Sequence, residues 1–276
     1  LSLHDALPIL CVSWTPLGVK ENRYHCNSCN TSYSVTVGTI FHKTKLDLQK
    51  WFLAVSLVLN AKKGYSARQL GRDIDVTKDT AWRMFMQIRK ALVEQHELME
   101  GIIEADETYI GGKNKNRHKN NKTEGGQGRG GEDKTPVIGV LQRGGKVMAK
   151  KANDTTMKTL SKFINKHVKQ GETVSTDEWR GYSRLSEKFN HLVVSHGRGE
   201  YVSGVAHTNT LEGFWSLFKR GIIGIYHFTS RKHMQKYADE FSFRYNHRKG
   251  TIDENFNIFL QTTNNKRLKY KTLLDK

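Results

Sequence analysis

The sequence has few cysteines, a deficit of acidic residues and no long apolar segment. Its three cysteines, Cys11, Cys26 and Cys29, are an odd number and do not describe a disulfide framework. The longest apolar run, residues 51–59, is too short to cross a bilayer, and no secretory signal pattern or internal repeat is found. We therefore expect a cytoplasmic protein without membrane contact, in which the close Cys26–Cys29 pair serves metal or redox chemistry.

The deficit of acidic residues leaves the chain strongly basic. Lysine and arginine number 45 against 27 aspartates and glutamates, which gives a net charge of +18 at pH 7. A protein this basic usually binds a polyanion, and nucleic acid is the first candidate. The 276 residues, 37% of them hydrophobic, are enough for one large domain or two smaller ones with a real core.

Residues 1–45 contain half of a zinc-ribbon pattern. Cys26 and Cys29 form a Cys-x-x-Cys knuckle, and the β-branched stretch 31–37 predicts a strand after it. A structural zinc site needs four ligands, usually from two knuckles, but only Cys11 lies upstream. We favour a degraded or truncated ribbon over a working Zn²⁺ site, for which Cys11, Cys26 and Cys29 are the candidate ligands.

Residues 46–98 have helical periodicity. Ser66 and Thr77 are good N-caps for two short helices separated by a tight turn at Asp75. Two such helices with a basic second helix are typical of a helix-turn-helix; the alternative is a three-helix bundle with a solvated basic face. The candidate DNA-contacting residues of the second helix are Lys78, Arg83, Arg89 and Lys90.

Residues 99–250 have an α/β pattern, interrupted at 111–134 by a basic, glycine-rich insertion without apolar residues. An acidic first strand precedes a hairpin at 137–149. Helices, one of them predicted over 182–189, then alternate with strands up to a basic helix at 230–247. This order matches the ribonuclease-H-like fold, in which helices flank a mixed sheet. Residues 251–276 are interpreted as a basic C-terminal tail.

The first strand of this pattern, residues 102–110, carries three acids, and an ionised carboxylate loses its hydration in a buried strand. If Ile103 and Ala105 face the core, Glu104 and Asp106 share the opposite face. A bound cation would compensate the charge. On this stretch alone, an edge strand with one solvated acidic face is the favoured interpretation.

Two later acids favour the cation. Asp177 ends a predicted strand and Glu212 lies one turn into a helix, and open α/β sheets build their sites at the carboxyl ends of strands. Together with Asp106 they offer hard oxygen ligands for Mg²⁺ or Mn²⁺, and two such ions support in-line phosphoryl displacement. Lys219 shares the helix face of Glu212 and is either a phosphate ligand or a surface lysine. The remaining neighbouring acids are interpreted as solvated, although any of them could replace a ligand; they are Glu104, Glu107 and Glu178.

With these motifs the chain resembles the DDE transposases of bacterial insertion sequences, specifically the IS fifteen-ninety-five group, also called ISXO-two-like. The matching segments are residues 24–29, 35–41, 50–52, 104–112, 175–179 and 207–220. The resemblance covers nearly everything from Arg23 to Lys249 and implies that Asp106, Asp177 and Glu212 are the metal-binding triad, with Lys219 as the associated basic residue. The family's zinc ribbon has two knuckles, and residues 1–22 depart from it because they lack a recognisable first one.

The function implied by this resemblance is DNA transposition: binding of element ends, metal-dependent cleavage, and joining of the freed 3′-hydroxyl to target DNA. The expected partners are double-stranded DNA of the ends and the target, bound by a homo-oligomer in the nucleoid. Further expected DNA contacts are Arg220, Arg244 and Arg248. The alternatives are a metal-dependent nuclease without strand transfer and a DNA-binding regulator descended from a transposase.

Overall fold

The computed structural model describes residues 14–16, 23–94, 97–111, 134–194, 207–264, 266, 268 and 272–273. Cys11 and nearly all of the 111–134 insertion lie outside these residues. Two compact units are formed: the first by Leu1–Ala61, Ser66–Val93 and Gly250–Lys276, the second by Lys62–Tyr65 and Glu94–Lys249. In the part of the chain that is described, no helix is both long and apolar enough to span a membrane.

The first unit begins with a small antiparallel sheet. Its strands are β1 (Trp14–Pro16), β2 (Arg23–Cys26) and β3 (Thr31–Ser34), in that order across the sheet. Cys26 is buried at the end of β2, whereas Cys29 is exposed in the turn that follows. Because Cys11 is not described, the zinc ribbon stays a prediction.

Three helices follow in the same unit: α1 (Leu48–Asn60), α2 (Ala67–Asp73) and α3 (Lys78–Ala91). The two predicted N-caps are formed, because Ser66 Oγ accepts a hydrogen bond from the Gln69 amide and Thr77 Oγ1 accepts one from the Thr80 amide. Asp75, with φ 51°, makes the tight turn between α2 and α3.

The second unit is built on a five-stranded sheet with the order β6-β5-β4-β7-β8. The strands are β4 (Ile102–Ile110), β5 (Thr135–Gln142), β6 (Val147–Lys151), β7 (Thr173–Asp177) and β8 (Asn190–Val194). β5 is antiparallel to β4 and to β6, whereas β7 is parallel to β4 and to β8. The predicted mixed sheet is therefore confirmed, with the acidic strand β4 at its centre.

Helices flank this sheet, namely α4 (Met157–His167), α5 (Asn209–Gly221) and α6 (Met234–Asn246). Ile103 and Ala105 of β4 pack into the hydrophobic core beneath α4, while the Glu104 carboxylate reaches the backbone of α5. The predicted division of β4 into an apolar face and an acidic face is thus confirmed. On β5, a Cβ at Gly139 would lie 2.6 Å from the Trp215 ring, so glycine permits the close approach of α5.

Two segments differ from the sequence interpretation. The predicted helix over 182–189 is replaced by two short 3₁₀ turns, Arg180–Tyr182 and Leu185–Glu187. The segment interpreted as a C-terminal tail contains a helix, α7 (Ile252–Thr262), which begins with a capping box. This helix belongs to the first unit, where Phe256 contacts Phe52 of α1 with ring centroids 5.6 Å apart.

Candidate functional site

The acidic face of β4 and the helix α5 enclose a cleft of about 620 Å³ in the second unit. Strand β4 contributes Asp106, Glu107 and Thr108 to its lining, and α5 with the residues after it contributes Glu212, Trp215, Ser216, Lys219, Arg220, Ile223 and Gly224. Three of the four residues that the sequence predicts as catalytic, Asp106, Glu212 and Lys219, therefore share one cleft.

The Asp106 carboxyl has a strongly raised pKa. Burial, followed by the charges of Glu107, Asp177 and Glu212, raises its pKa from 3.8 to about 7, although a backbone hydrogen bond opposes the shift. The fourth predicted residue, Asp177, thus lies close enough for its charge to act on Asp106. The structure brings carboxylates of a strand, its parallel neighbour and a helix into electrostatic contact.

The partner carboxylates are held by local hydrogen bonds. Asp177 ends β7, is 7% exposed, and accepts a hydrogen bond from the Trp179 amide at 3.1 Å. Glu212 is exposed in the first turn of α5, and its Oε1 accepts a hydrogen bond from Thr208 Oγ1 at 2.9 Å. Among the described residues, no three His, Cys, Asp or Glu side chains already stand in the arrangement of a complete metal cage.

Glu104 is not the solvated neighbour that the sequence suggests. It is 0% exposed, and Arg143 Nε lies 2.8 Å from its Oε1. The carboxylate also accepts hydrogen bonds from Thr210 Oγ1 at 2.9 Å and from the Leu211 amide at 2.8 Å, and His207 Nδ1 lies 3.2 Å away. The interpretation as a solvated residue was wrong because the partners that neutralise Glu104 come from segments far away in sequence.

These contacts make Glu104 the junction between β4 and α5. Arg143 follows β5, and its Nη2 donates a second hydrogen bond, 2.8 Å long, to the His207 carbonyl just before α5. The buried ion pair therefore fixes the first turn of α5, which carries Glu212, against the strand that carries Asp106. Sequence reasoning missed Arg143 altogether.

Glu107 also departs from the interpretation as a solvated residue. It is 8% exposed, and the Tyr182 hydroxyl donates a 2.7 Å hydrogen bond to its Oε2. Burial and the neighbouring acids raise the pKa of Tyr182 well above its usual value, so the phenol stays protonated as a donor. Glu178, by contrast, is exposed as expected.

The raised pKa of Asp106 predicts a pH-dependent stability of the metal-free protein. Below the unfolded pKa of 3.8 the carboxyl is neutral in both states. As the pH rises through the folded pKa of about 7 the buried group ionises, and stability is lost. Asp106→Asn removes this loss. In EDTA at about pH 8 we expect its melting temperature to exceed the parent's by at least about 3 °C, with a smaller difference at about pH 5.

Thermal unfolding in EDTA at the two pH values measures this effect. Glu178→Gln, on an exposed acid next to Asp177, is the control and should leave the melting temperature unchanged at both. A destabilised Asp106→Asn protein at the higher pH would show that the Asp106 charge is compensated in the folded chain.

The predicted DNA-contacting residues separate into accessible and buried side chains. Lys78, Arg83, Arg220 and Arg248 are exposed and Lys90 is half-buried. The other two predicted residues have buried guanidinium groups, which are held by contacts within the protein. Arg89 is 2% exposed and stacks over the Phe85 ring at 4.9 Å, and the Arg244 side chain is 6% exposed and pairs with Glu240.

Comparison with known protein sequences gives a match to a family and a match to one relative. Residues 98–246 match the ISXO2-like transposase domain. An uncharacterized protein in transposable element ISH50 of Halobacterium salinarum is 34% identical over 207 residues, which cover 72% of this chain and 70% of that protein.

Solved structures of the Mos1 strand transfer complex and of a Mos1 transposase paired-end complex with the left transposon end overlap more weakly. They are 12% and 11% identical, with TM-scores of 0.30 and 0.29. The overlaps cover 79% and 77% of this chain and 78% of each of those chains. At such TM-scores the two structures carry no argument about this chain. Its family membership rests on the two sequence matches.

Proposed function

Because the chain belongs to the family of ISXO2-like transposase domains, we propose that it is a DDE transposase with a ribonuclease-H-like catalytic domain. It binds the ends of its element, cleaves them and joins the freed 3′-hydroxyl to target DNA. The observation that carries the proposal is the cleft that Asp106, Glu212 and Lys219 line together, with Asp177 close enough for its charge to raise the pKa of Asp106.

The side chains of the cleft suit a divalent cation. Asp106, Asp177 and Glu212 supply only oxygen ligands, the kind that Mg²⁺ and Mn²⁺ prefer, and their mutual repulsion falls when a cation binds. Mg²⁺ is commonly held by one or two carboxylates with waters and substrate phosphates, so a complete protein cage is not required. When two such ions are bound, they supply stabilisation of the attacking and the leaving oxygen of a phosphoryl displacement.

The other residues of the cleft have separate roles in this proposal. Lys219 lies two turns after Glu212 on the same cleft wall, where its ammonium group binds a phosphate of the DNA. Glu104 does not serve as a metal ligand in this proposal, because Arg143 already neutralises its buried carboxylate. The Glu107 carboxylate accepts a hydrogen bond from the Tyr182 hydroxyl. Glu104 acts as a positioning residue that holds α5, and with it Glu212, against β4.

Recognition of the ends is assigned to the first unit. Arg68, Arg72 and Lys78 line a shallow cleft at the turn between α2 and α3, which is the arrangement expected of a helix-turn-helix. Lys78 and Arg83 are exposed on α3 and bind phosphates or base edges, whereas Arg89 serves the packing of the helix. Arg220 and Arg248 remain candidate DNA contacts of the second unit.

A steep salt dependence is expected of DNA binding, because the net charge of +18 neutralises phosphates and releases their counterions. If four or more phosphates are contacted, affinity should fall at least about a hundredfold between about 50 and about 200 mM salt. Fluorescence anisotropy of a labelled duplex measures the slope of log Kd against log salt. A nearly flat slope would show that the basic side chains are merely solvated.

The activity itself is tested with an end duplex. We define it as an oligonucleotide duplex that spans the boundary between the element that encodes this chain and the DNA that flanks the element. The parent chain should nick the end duplex in Mg²⁺ or Mn²⁺ and join the product to a second, unlabelled duplex. Nicking without joining would identify a nuclease. Binding without nicking would identify a DNA-binding regulator.

A further inference from the structure

After α5 the chain adopts two uncommon backbone conformations in succession. Residues Ile222–Tyr226 form a π-helix, and His227 follows with φ 59° and ψ −42°. The Phe228 amide donates a 2.6 Å hydrogen bond to the Tyr226 carbonyl, which makes a γ-turn of the strained, positive-φ type centred on His227. Strained turns and π-helical segments both occur preferentially at functional sites.

Buried contacts hold this γ-turn in place. The Tyr226 hydroxyl donates a 2.7 Å hydrogen bond to Oε1 of Glu240, which is 0% exposed in α6. The Tyr226 ring packs edge-on against Tyr237 with centroids 4.8 Å apart. A Cβ at Gly64 would lie 2.6 Å from the Tyr226 hydroxyl, so the backbone closes tightly over it. The strain is therefore imposed by the surrounding structure.

The turn displays two apolar side chains to solvent. Phe228 is 77% exposed and Ile223 is 70% exposed, the highest values among the large hydrophobic residues that the structure describes. Exposing such side chains forgoes the gain of burying them. Ile223 lines the acidic cleft, and His227 Nδ1 lies 3.1 Å from the Ile223 carbonyl oxygen. Phe228 follows His227 directly, so the turn places the Phe228 backbone close to the lining of the cleft that contains Asp106.

The surroundings of this pair are cationic. Lys219 and Arg220 on the cleft wall and Arg231 and Lys232 after the turn are all exposed. Charged residues are depleted from the centre of protein–protein interfaces. Cations that follow a phosphate backbone, with an aromatic ring on which a base stacks, are instead typical of sites for single-stranded nucleic acid.

We propose that Phe228, together with Ile223 of the cleft lining, forms a stacking site for an unpaired nucleobase next to the phosphodiester that is cleaved. The proposal rests on the proposed function for the location of that phosphodiester. A paired duplex keeps its bases stacked, and opening it costs free energy. Stacking of one base on Phe228 offsets this cost, while the strained turn holds the Phe228 backbone close to the lining of the cleft.

Base unstacking is measured with the full chain and end duplexes in which 2-aminopurine replaces an adenine close to the element boundary. In Ca²⁺, the parent chain should raise the fluorescence of 2-aminopurine at one position, because the base leaves its neighbours. Phe228→Ala should bind the duplex without this rise. Leu98→Ala, which removes another exposed apolar side chain of the second unit, is the control and should behave like the parent.

Nicking supplies the second readout. Phe228→Ala should slow the nicking of the fully paired end duplex about tenfold, the effect of losing one base–aromatic stack, whereas Phe228→Trp should keep the parent rate. A mismatch at the unstacked position should restore the rate of Phe228→Ala, because the pair is already open.

Three outcomes overturn the proposal: a parent fluorescence rise that Phe228→Ala retains, a mismatch that fails to restore nicking, and a change in the oligomeric mass of the DNA-free protein on Phe228→Ala. The last outcome would assign the apolar pair to self-association. If the parent nicks no end duplex in Mg²⁺ or Mn²⁺, the proposed function fails, and the fluorescence in Ca²⁺ still decides whether Phe228 binds a base.

Discussion

Asp106→Asn, Asp177→Asn and Glu212→Gln should each slow the nicking of the end duplex at least about a thousandfold in Mg²⁺. Each change keeps the size of the side chain and removes one negative charge from the cleft. Weaker and misplaced cations then stabilise the charge of the transition state less. Folding should survive, because repulsion among the acids falls in the metal-free protein, and binding of the end duplex in Ca²⁺ should persist.

The matched control is Glu178→Gln, which neutralises an exposed acid immediately after Asp177. Its nicking rate should stay within about tenfold of the parent rate, as expected of a solvated neighbour. Normal nicking by Glu212→Gln together with an inactive Glu178→Gln would show that the third ligand is wrongly assigned. Parent-like nicking by all three triad variants would remove the basis for the two-metal proposal.

Arg143→Met should destabilise the protein by about 3–5 kcal/mol, the cost of leaving a buried charge without its partner. Glu104 is 0% exposed and pairs with Arg143 at 2.8 Å. Its remaining contacts, Thr210, Leu211 and His207, do not replace the full positive charge of a guanidinium. Nicking should also fall, because the first turn of α5 is no longer fixed against β4.

Chemical denaturation measures this loss of stability. The chain offers a control in an exposed ion pair with the same distance between nitrogen and oxygen. Lys169 and Glu100 also pair at 2.8 Å, but their side chains are 55% and 61% exposed. Lys169→Met should therefore cost far less stability than Arg143→Met. The double variant Glu104→Gln with Arg143→Met should recover part of the stability, since no charge is left buried alone. Equal losses from Arg143→Met and Lys169→Met would mean that water reaches Glu104.

The sequence contains enough local information for the order and type of most elements. The period-two alternation of β4 correctly predicted which of its residues face α4, because a strand places successive side chains on opposite faces. Ser66 and Thr77 likewise began helices where their short hydroxyl side chains predicted them. These features depend on residues a few positions apart, so one sequence is sufficient.

Features that depend on distant residues were not predictable in the same way. Glu104 and Glu107 looked solvated because Arg143 and Tyr182, which bind them, are 39 and 75 positions away. Arg89 looked like a DNA contact because periodicity does not show that Phe85 and the core would cover its guanidinium. The helix α7 was missed because its amphipathic face is short and lies in a polar segment.

The pairing of α7 with α1 makes the first unit discontinuous in the chain, with the second unit inserted between its parts. Translation proceeds at about 5–20 residues per second, so the ribosome delivers α1 roughly ten seconds or more before its packing partner α7. During that interval the second unit emerges complete and can fold, while Phe52 still lacks Phe256. The unit assigned to DNA recognition thus completes the packing of α1 only after the second unit has emerged.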